Sequence, residues 1–388
     1  MKKILDFFSL KKSIASLLLM AILVGFGERM AERFLPIYLL ALGASTLIPG
    51  FLNGLDNLLS ALYSIPGGFL SARLGYKRAL LIFNLTAMVG YAIVILFSSW
   101  AAVFVGSLFF LSWTALSLPA VMDLVGSVLP KSKQVMGVSL HAFVRRIPMA
   151  LGPIMGGILI DRLGIVAGIK ISFGVALVFA LISLIVQQLF IEEREGGGTT
   201  SFSLRALLSP RLDILLLSDI LARFCEQIPY AYIAIWAMQV GANVSGFQFG
   251  ILTAIEMIVA LLVYIPVAYL ADRGRKKPFV VITFVNFALF PLFLLFSKTF
   301  FLLVIAFIVR GLKEFGEPTR KALIMELAPC GAASFGTYYF IRDTVVAGSA
   351  ILGAFLWQVS PSINFLVASL FGFLGVFVFA FFGKDSVQ

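Results

Sequence analysis

Along this 388-residue chain, long apolar runs alternate with short polar breaks. A helix that crosses a bilayer needs about 20 apolar residues. The pattern predicts twelve such spans, at 14–40, 47–71, 79–97, 101–123, 134–159, 164–189, 213–239, 246–270, 278–297, 299–325, 334–358 and 362–382. The first run, starting near Ser13, is too long for the core of a signal peptide and has no small-residue cleavage site after it, so it reads as the first span. Only one connection is long and polar. It runs from Glu192 to Pro210, with three glycines followed by Thr199, Thr200 and Ser201, and reads as a flexible linker. The expected architecture is an all-α membrane protein of two six-helix bundles, 1–191 and 211–388, joined by a linker at 192–210.

The two halves repeat each other at an offset near 200. Gly43 and Ala44 correspond to Gly241 and Ala242, Phe26 to Phe224, and Glu28 to Glu226, all at an offset of 198. At an offset of 200, Asp56 falls on Glu256, Ile65 and Pro66 on Ile265 and Pro266, and Arg73 on Arg273. Pro119 falls on Pro318 at an offset of 199. Parallel six-helix repeats imply a pseudo-two-fold axis along the membrane normal.

Composition changes the picture little and excludes much. The chain is 61% apolar and only 13% charged, with a mean hydropathy of +1.04, against about 25% charged residues in a soluble domain. Its net charge of +11 does not form one patch, which argues against nucleic acid. The basic residues instead cluster on one side of the expected topology. With a cytoplasmic N-terminus, the inner loops and termini receive Lys2, Lys3, Lys11, Lys12, Arg73, Lys77, Arg78, Lys131, Lys133, Arg194, Arg205, Arg211, Arg273, Arg275, Lys276, Lys277 and Lys384. The outside receives only Arg162, Lys170 and Lys298. This positive-inside bias predicts an inner-membrane, multi-pass protein with both termini in the cytoplasm. The two cysteines, Cys225 and Cys330, do not form a metal-spaced pair, and no metal site or cofactor is expected.

Charges inside the spans are the candidate chemistry. Eight acids lie near mid-span: Glu28, Glu32, Asp56, Glu226, Glu256, Glu314, Glu317 and Asp343. Eight bases accompany them: Arg29, Arg33, Arg145, Arg146, Arg223, Arg310, Lys313 and Arg342. Each would cost roughly 2.5–3.5 kcal/mol facing lipid, so they must pair or face water. Spans 3, 9 and 12 carry none and span 6 only Lys170, which places every third helix on the lipid-facing periphery and the others around a substrate cavity. Structural pairing is the bland alternative. Arg310 with Glu314 and Lys313 with Glu317 stand at i,i+4, Arg223 is three residues from Glu226, and Arg29 can relieve the repulsion between Glu28 and Glu32. Asp56 and Glu256 have no base within four positions. They therefore need a partner on another helix or a proton, which ranks them first for proton coupling, with Glu28 and Glu226 second. The single histidine, His141, reads as a packed or solvated residue near the cytoplasmic mouth rather than a relay.

Three stretches resemble the major facilitator superfamily, and the resemblance covers essentially the whole chain. Gly68, Ala72, Arg73, Gly75, Lys77 and Arg78 resemble the family's loop motif between helices 2 and 3, and Asp272, Arg273, Gly274 and Arg275 its equivalent between helices 8 and 9. Gly152, Pro153, Gly156 and Gly157 are similar to the family's antiporter motif in helix 5. The chain departs from the family at Ala72, where the family has an aspartate, and Asp272 stands one residue short of the usual spacing. The resemblance implies a cytoplasmic gate in which Asp272 alone docks at the start of helix 5, near Gln134–Gly137. Plain readings stand beside these: the basic loop residues anchor to anionic lipid, and the glycines of helix 5 pack closely on a neighbour.

The function expected is secondary transport of a small-molecule substrate across the bilayer by alternating access, as proton-coupled export by a monomer. An importer of an organic anion or zwitterion is the alternative, resting on the deep arginines; a non-transporting receptor or lipid-handling protein on the same scaffold is a third. No nucleophile motif, metal-ligand cluster or phosphate-binding loop suggests an enzyme.

Overall fold

The computed structural model describes residues 12–111, 117, 121, 131–191, 210–271, 275–327 and 332–385. Everything regular among them is helical. The chain divides into two compact units, one formed by 1–43 with 59–200 and the other by 44–58 with 201–388. The opening stretch of span 2 thus groups with the second unit, although it precedes the linker by more than a hundred residues.

The first unit contains α1 (Lys12–Glu32), α2 (Leu35–Ala41), the later part of α3 (Leu47–Leu74), α4 (Tyr76–Leu96), α5 (Trp100–Phe110), α6 (Lys131–Leu163) and α7 (Ile165–Phe190). The second contains the start of α3, α8 (Pro210–Tyr230), a helical turn at Ile233–Ile235 widening into a π-turn at Trp236–Val240, α9 (Gly246–Ala271), α10 (Lys277–Phe296), α11 (Phe300–Leu312), α12 (Glu317–Leu327), α13 (Ala332–Val359) and α14 (Pro361–Phe382). Seven described helices are long and apolar enough to cross a membrane. Spans 3, 6, 9 and 12 are α4, α7, α10 and α14. Each exposes large apolar side chains, among them Val89, Ile185, Phe293 and Leu370.

Among the described residues, three expected spans are seen to break. Span 1 breaks at Arg33–Phe34 and span 7 at Ala231–Tyr232, the same place in the repeat. The turns match bond for bond: Phe34 donates to Ala31 and Tyr232 to Pro229, three residues back, before helix resumes. Span 10 breaks at Lys313–Gly316. Pro318 explains that break, because it has no N–H for the carbonyl of Glu314 and its ring would clash there.

Close helix contacts also repeat. A Cβ on Gly156 of α6 would stand 2.0 Å from the Met30 carbonyl of α1, and one on Gly353 of α13 would stand 2.1 Å from the Ile228 carbonyl of α8. On the other flank, Gly27 of α1 meets Ala176 of α7, while in the second unit Cys225 of α8 meets Gly372 of α14. The glycine changes helix, but the close approach stays. Membrane helices rely on such contacts, since lipid is as apolar as the helix surface.

Candidate functional site

In the second unit the charges form one connected network. Glu256 on α9 is wholly buried, and its carboxylate lies 3.2 Å from Arg310 Nε and 3.4 Å from Lys313 Nζ. Lys313 Nζ also donates to Glu226 Oε1 at 2.7 Å, and Arg223 Nη1 to Glu226 Oε2 at 2.6 Å. Arg223 reaches Glu317 at 3.6 Å, and Glu317 accepts three bonds from Arg320, at 3.1, 2.8 and 2.6 Å. Beyond that lies Asp219, 1% exposed, which accepts from Arg320, from the Tyr338 hydroxyl at 3.0 Å and from Arg342 at 3.4 Å. Asp343 closes the network by pairing with Arg342 at 2.7 Å. Aromatic rings surround Arg310, whose guanidinium carbon lies 5.2 Å from the Phe290 centroid and 5.6 Å from those of Tyr230 and Phe307. A small cleft with room for about one water opens among Glu226, Ile233, Asn286, Phe287, Phe290, Arg310 and Lys313.

These contacts correct the pairing expected from sequence. Lys313 turns to Glu226 and Glu256 rather than to Glu317, which takes Arg320, Arg223 and Lys321 instead. The helical i,i+4 spacing fails because the break at Lys313–Gly316 separates the two residues. Glu256 finds its partners on the broken span 10. Asp219 and Arg320, each inside an expected span, are a further pair that the list of mid-span charges does not contain, and they are the most buried ion pair of the set. Two further residues went unnoticed: Thr283 and Asn286 on α10, a polar pair three residues apart in an otherwise apolar helix.

The first unit is arranged differently. Arg29 Nη1 donates to Glu32 Oε1 at 2.6 Å. Glu28, one helical turn earlier and 5% exposed, makes no hydrogen bond or ion pair among the described residues, although it lies within the fields of Arg29, Glu32 and Arg145. Tyr91 of α4 is buried within reach of the same carboxylates, its ring against Phe110 and Phe173. Arg33 stands in the turn between α1 and α2, and Arg145 and Arg146 lie on α6, all partly buried. The helix 5 glycines set this geometry. A Cβ on Gly152 would stand 2.8 Å from Arg29 Cβ, and Gly156 seats against Met30. Pro153 and Gly157 beside them are buried.

Asp56 lies partly buried in the part of α3 that groups with the second unit, between two asparagines. Asn53 and Asn57 donate to the side chain of Gln227 on α8 at 3.1 and 3.2 Å. Gly50 lets the same stretch approach Ala354 and Tyr232. Glu314 sits in the span 10 turn, partly buried.

The loop residues divide. Gly75 takes φ 81°, the left-handed region that favours glycine, and so turns α3 into α4. Lys77 donates to the Gln188 carbonyl near the end of α7, a favourable place for a cation, while Arg73 and Arg78 are exposed. Gly68 is within α3. Asp272, Arg273 and Gly274 lie outside the described residues, as do the side chains of His141 and of Gln134–Gly137, and so does Cys330. Arg275 is exposed. The carboxylate at the start of α10 is Asp385, which accepts from the backbone of Lys276 and Lys277 at 2.9 and 3.0 Å.

A helical membrane carrier is the class that this combination defines: apolar helices, broken spans and buried charges gathered at the breaks. The chain belongs to the Major Facilitator Superfamily, whose sequence pattern matches residues 17–213. It is accordingly a multi-pass membrane transporter of small molecules and not an enzyme. No curated protein matches it in sequence. Among solved structures, a POT family transporter in complex with a thioalcohol-conjugated peptide is similar with a TM-score of 0.80 at 13% identity, over 95% of each chain. The peptide transporter POT in complex with sulfate gives 0.80 at 15% identity, over 96% of this chain and 95% of that one. A POT family transporter in complex with 5-aminolevulinic acid gives 0.82 at 13% identity, over 97% of both. At such identities the likeness establishes the fold alone.

Proposed function

We propose that the protein is a secondary carrier in the cytoplasmic membrane, working as a monomer with both termini inside, and that it couples movement of a small organic solute to protons by alternating access. The observation that carries the coupling is Glu28. A buried carboxylate without an ion-pair partner is costly as an anion and is relieved by a proton or a cation. Its counterpart Glu226, with Arg223 and Lys313 at hydrogen-bond distance, has its charge already balanced. The geometry therefore favours Glu28 as the proton carrier and makes Glu226 and Glu256 organisers of the second unit. Asp56 remains a second candidate carrier, on the stretch of α3 whose Asn53 and Asn57 bond to Gln227.

The charge count supports an anionic or zwitterionic solute. Among the described residues, the interior of the first unit holds four arginines, Arg29, Arg33, Arg145 and Arg146, against Glu28 and Glu32. Arginine binds carboxylate and phosphate with two parallel bonds. The peptide conjugate and 5-aminolevulinic acid seen in the structural neighbours are compounds of this kind. Export is the second reading. It rests on the helix 5 motif, whose glycines are here accounted for by packing on α1.

The test is flux in proteoliposomes with and without a pH gradient, against 5-aminolevulinic acid, a dipeptide, alafosfalin and a lipophilic cation. Gradient-driven movement of the first three supports the reading. Movement of the lipophilic cation alone, out of the inside-equivalent compartment, favours export of amphipathic compounds.

A further inference from the structure

Helix α10 carries no charged group along its apolar length, yet it does polar work at the break in span 10. In an unbroken helix the amide of Gly316 would donate to the carbonyl of Leu312, four residues back. Here the two halves of that one bond have each found a partner on α10. The Gly316 amide donates to Thr283 Oγ1 at 2.5 Å, and the Leu312 carbonyl accepts from Asn286 Nδ2 at 3.2 Å as well as from the Phe315 amide at 3.0 Å. Gly316 fits only as glycine, because a Cβ would stand 2.4 Å from the Phe279 carbonyl and 2.6 Å from the Thr283 hydroxyl. The turn opened in this way carries Lys313, which reaches Glu226 of α8 and Glu256 of α9.

We propose that Thr283 and Asn286 are positioning residues for transport: by taking over one helical hydrogen bond they hold span 10 open and place Lys313 between Glu226 and Glu256. Backbone groups freed inside a membrane need such replacements. Interrupted helices lining charged sites are where carriers place functional side chains. The exchange also has two definite end states. The Gly316 amide can bond either to Thr283 or to Leu312; the second choice would restore the last helical turn before Pro318 and shift the residue that carries Lys313. This inference rests on the reading that the Glu226–Lys313–Glu256 cluster takes part in transport.

The experiment uses the full chain in lipid nanodiscs and proteoliposomes. Thr283→Val keeps the side-chain shape and removes the hydroxyl, and Thr283→Ser keeps the hydroxyl. Brief treatment with acetic anhydride, read by mass spectrometry, reports how well Lys313 is shielded, with exposed Lys298 as the internal standard. In Thr283→Val, Lys313 acetylation should rise roughly tenfold relative to Lys298, about the factor one hydrogen bond carries, and gradient-driven flux of the panel above should fall by a similar factor. Thr283→Ser should restore both. Asn286→Leu should shift both readouts in the same direction as Thr283→Val but by less, because the Phe315 amide still bonds to the Leu312 carbonyl. Unchanged shielding of Lys313 in both Thr283→Val and Asn286→Leu overturns the positioning role. Lys313→Gln separates the two layers. If it transports like the wild type, the cluster is not part of transport and the proposal falls with it. If it is impaired while Thr283→Val transports normally, only the positioning role falls.

Discussion

The surroundings of Glu28 and of Glu226 are the same place built twice, with opposite electrostatics. In both, the acid sits near the middle of a span that breaks a few residues later with the same three-residue turn. In both, a glycine from the fifth helix of the repeat seats against the carbonyl two residues after the acid, Met30 for Glu28 and Ile228 for Glu226. Yet Glu226 is held by Arg223 and Lys313, while Arg29 pairs with Glu32 and Glu28 makes no ion pair among the described residues. Packing has been kept through the repeat, and charge has diverged. Where an added Cβ would stand about 2 Å from a facing carbonyl no side chain is tolerated, whereas a charge can be moved to a neighbouring helix if the sum stays balanced.

Substitutions can break this comparison at several strengths. The largest effect is expected deep in the charged network. Arg320→Met leaves Asp219 buried with fewer cations, and removing one partner of a buried pair costs about 3–5 kcal/mol. Unfolding of the purified protein in detergent should show that loss, and a change below about 1 kcal/mol would mean Arg342 and Tyr338 suffice. Next come the shared contacts. Gly156→Leu and Gly353→Leu should each cost about 1–3 kcal/mol or more through overpacking, and by similar amounts. A large cost at one and none at the other would end the claim of equivalent packing. Smaller and opposite in sign are the acids themselves. Glu226→Gln should destabilise by about 1–3 kcal/mol because Arg223 and Lys313 each lose their shortest charge contact, whereas Glu28→Gln should be neutral or stabilising. The smallest effect is expected at the amides. Asn53→Ala removes bonds to Gln227 and should cost about 1 kcal/mol, read in the same unfolding assay.

Much of this was legible in the chain. The repeat, the apolar runs and the acids Glu28, Glu226, Asp56 and Glu256 were all readable, because membrane helices must satisfy their backbone internally and so announce themselves by composition. Close packing of Gly152 and Gly156 was one of two readings, and the contact with α1 accounts for it. The pairing was not legible. Lys313 and Glu317 look like an i,i+4 pair only while the helix is continuous, and Pro318, which ends that continuity, was read as a repeat marker. Thr283 and Asn286 carry no charge and so escaped a search for charges. Their spacing in α10 was the available signal. Asp219 and Arg320 lie inside expected spans but 101 residues apart, and only three-dimensional proximity shows that they meet.

The central claim is that Glu28 takes up the transported proton, and simultaneous measurement of proton and solute flux in proteoliposomes carrying Glu28→Gln tests it most directly. The expected result is a folded protein whose solute exchange survives while net proton movement disappears, with Glu256→Gln retaining some coupling. If the proton-to-solute ratio in Glu28→Gln equals that of the wild type, Glu28 has no part in coupling and the account is wrong.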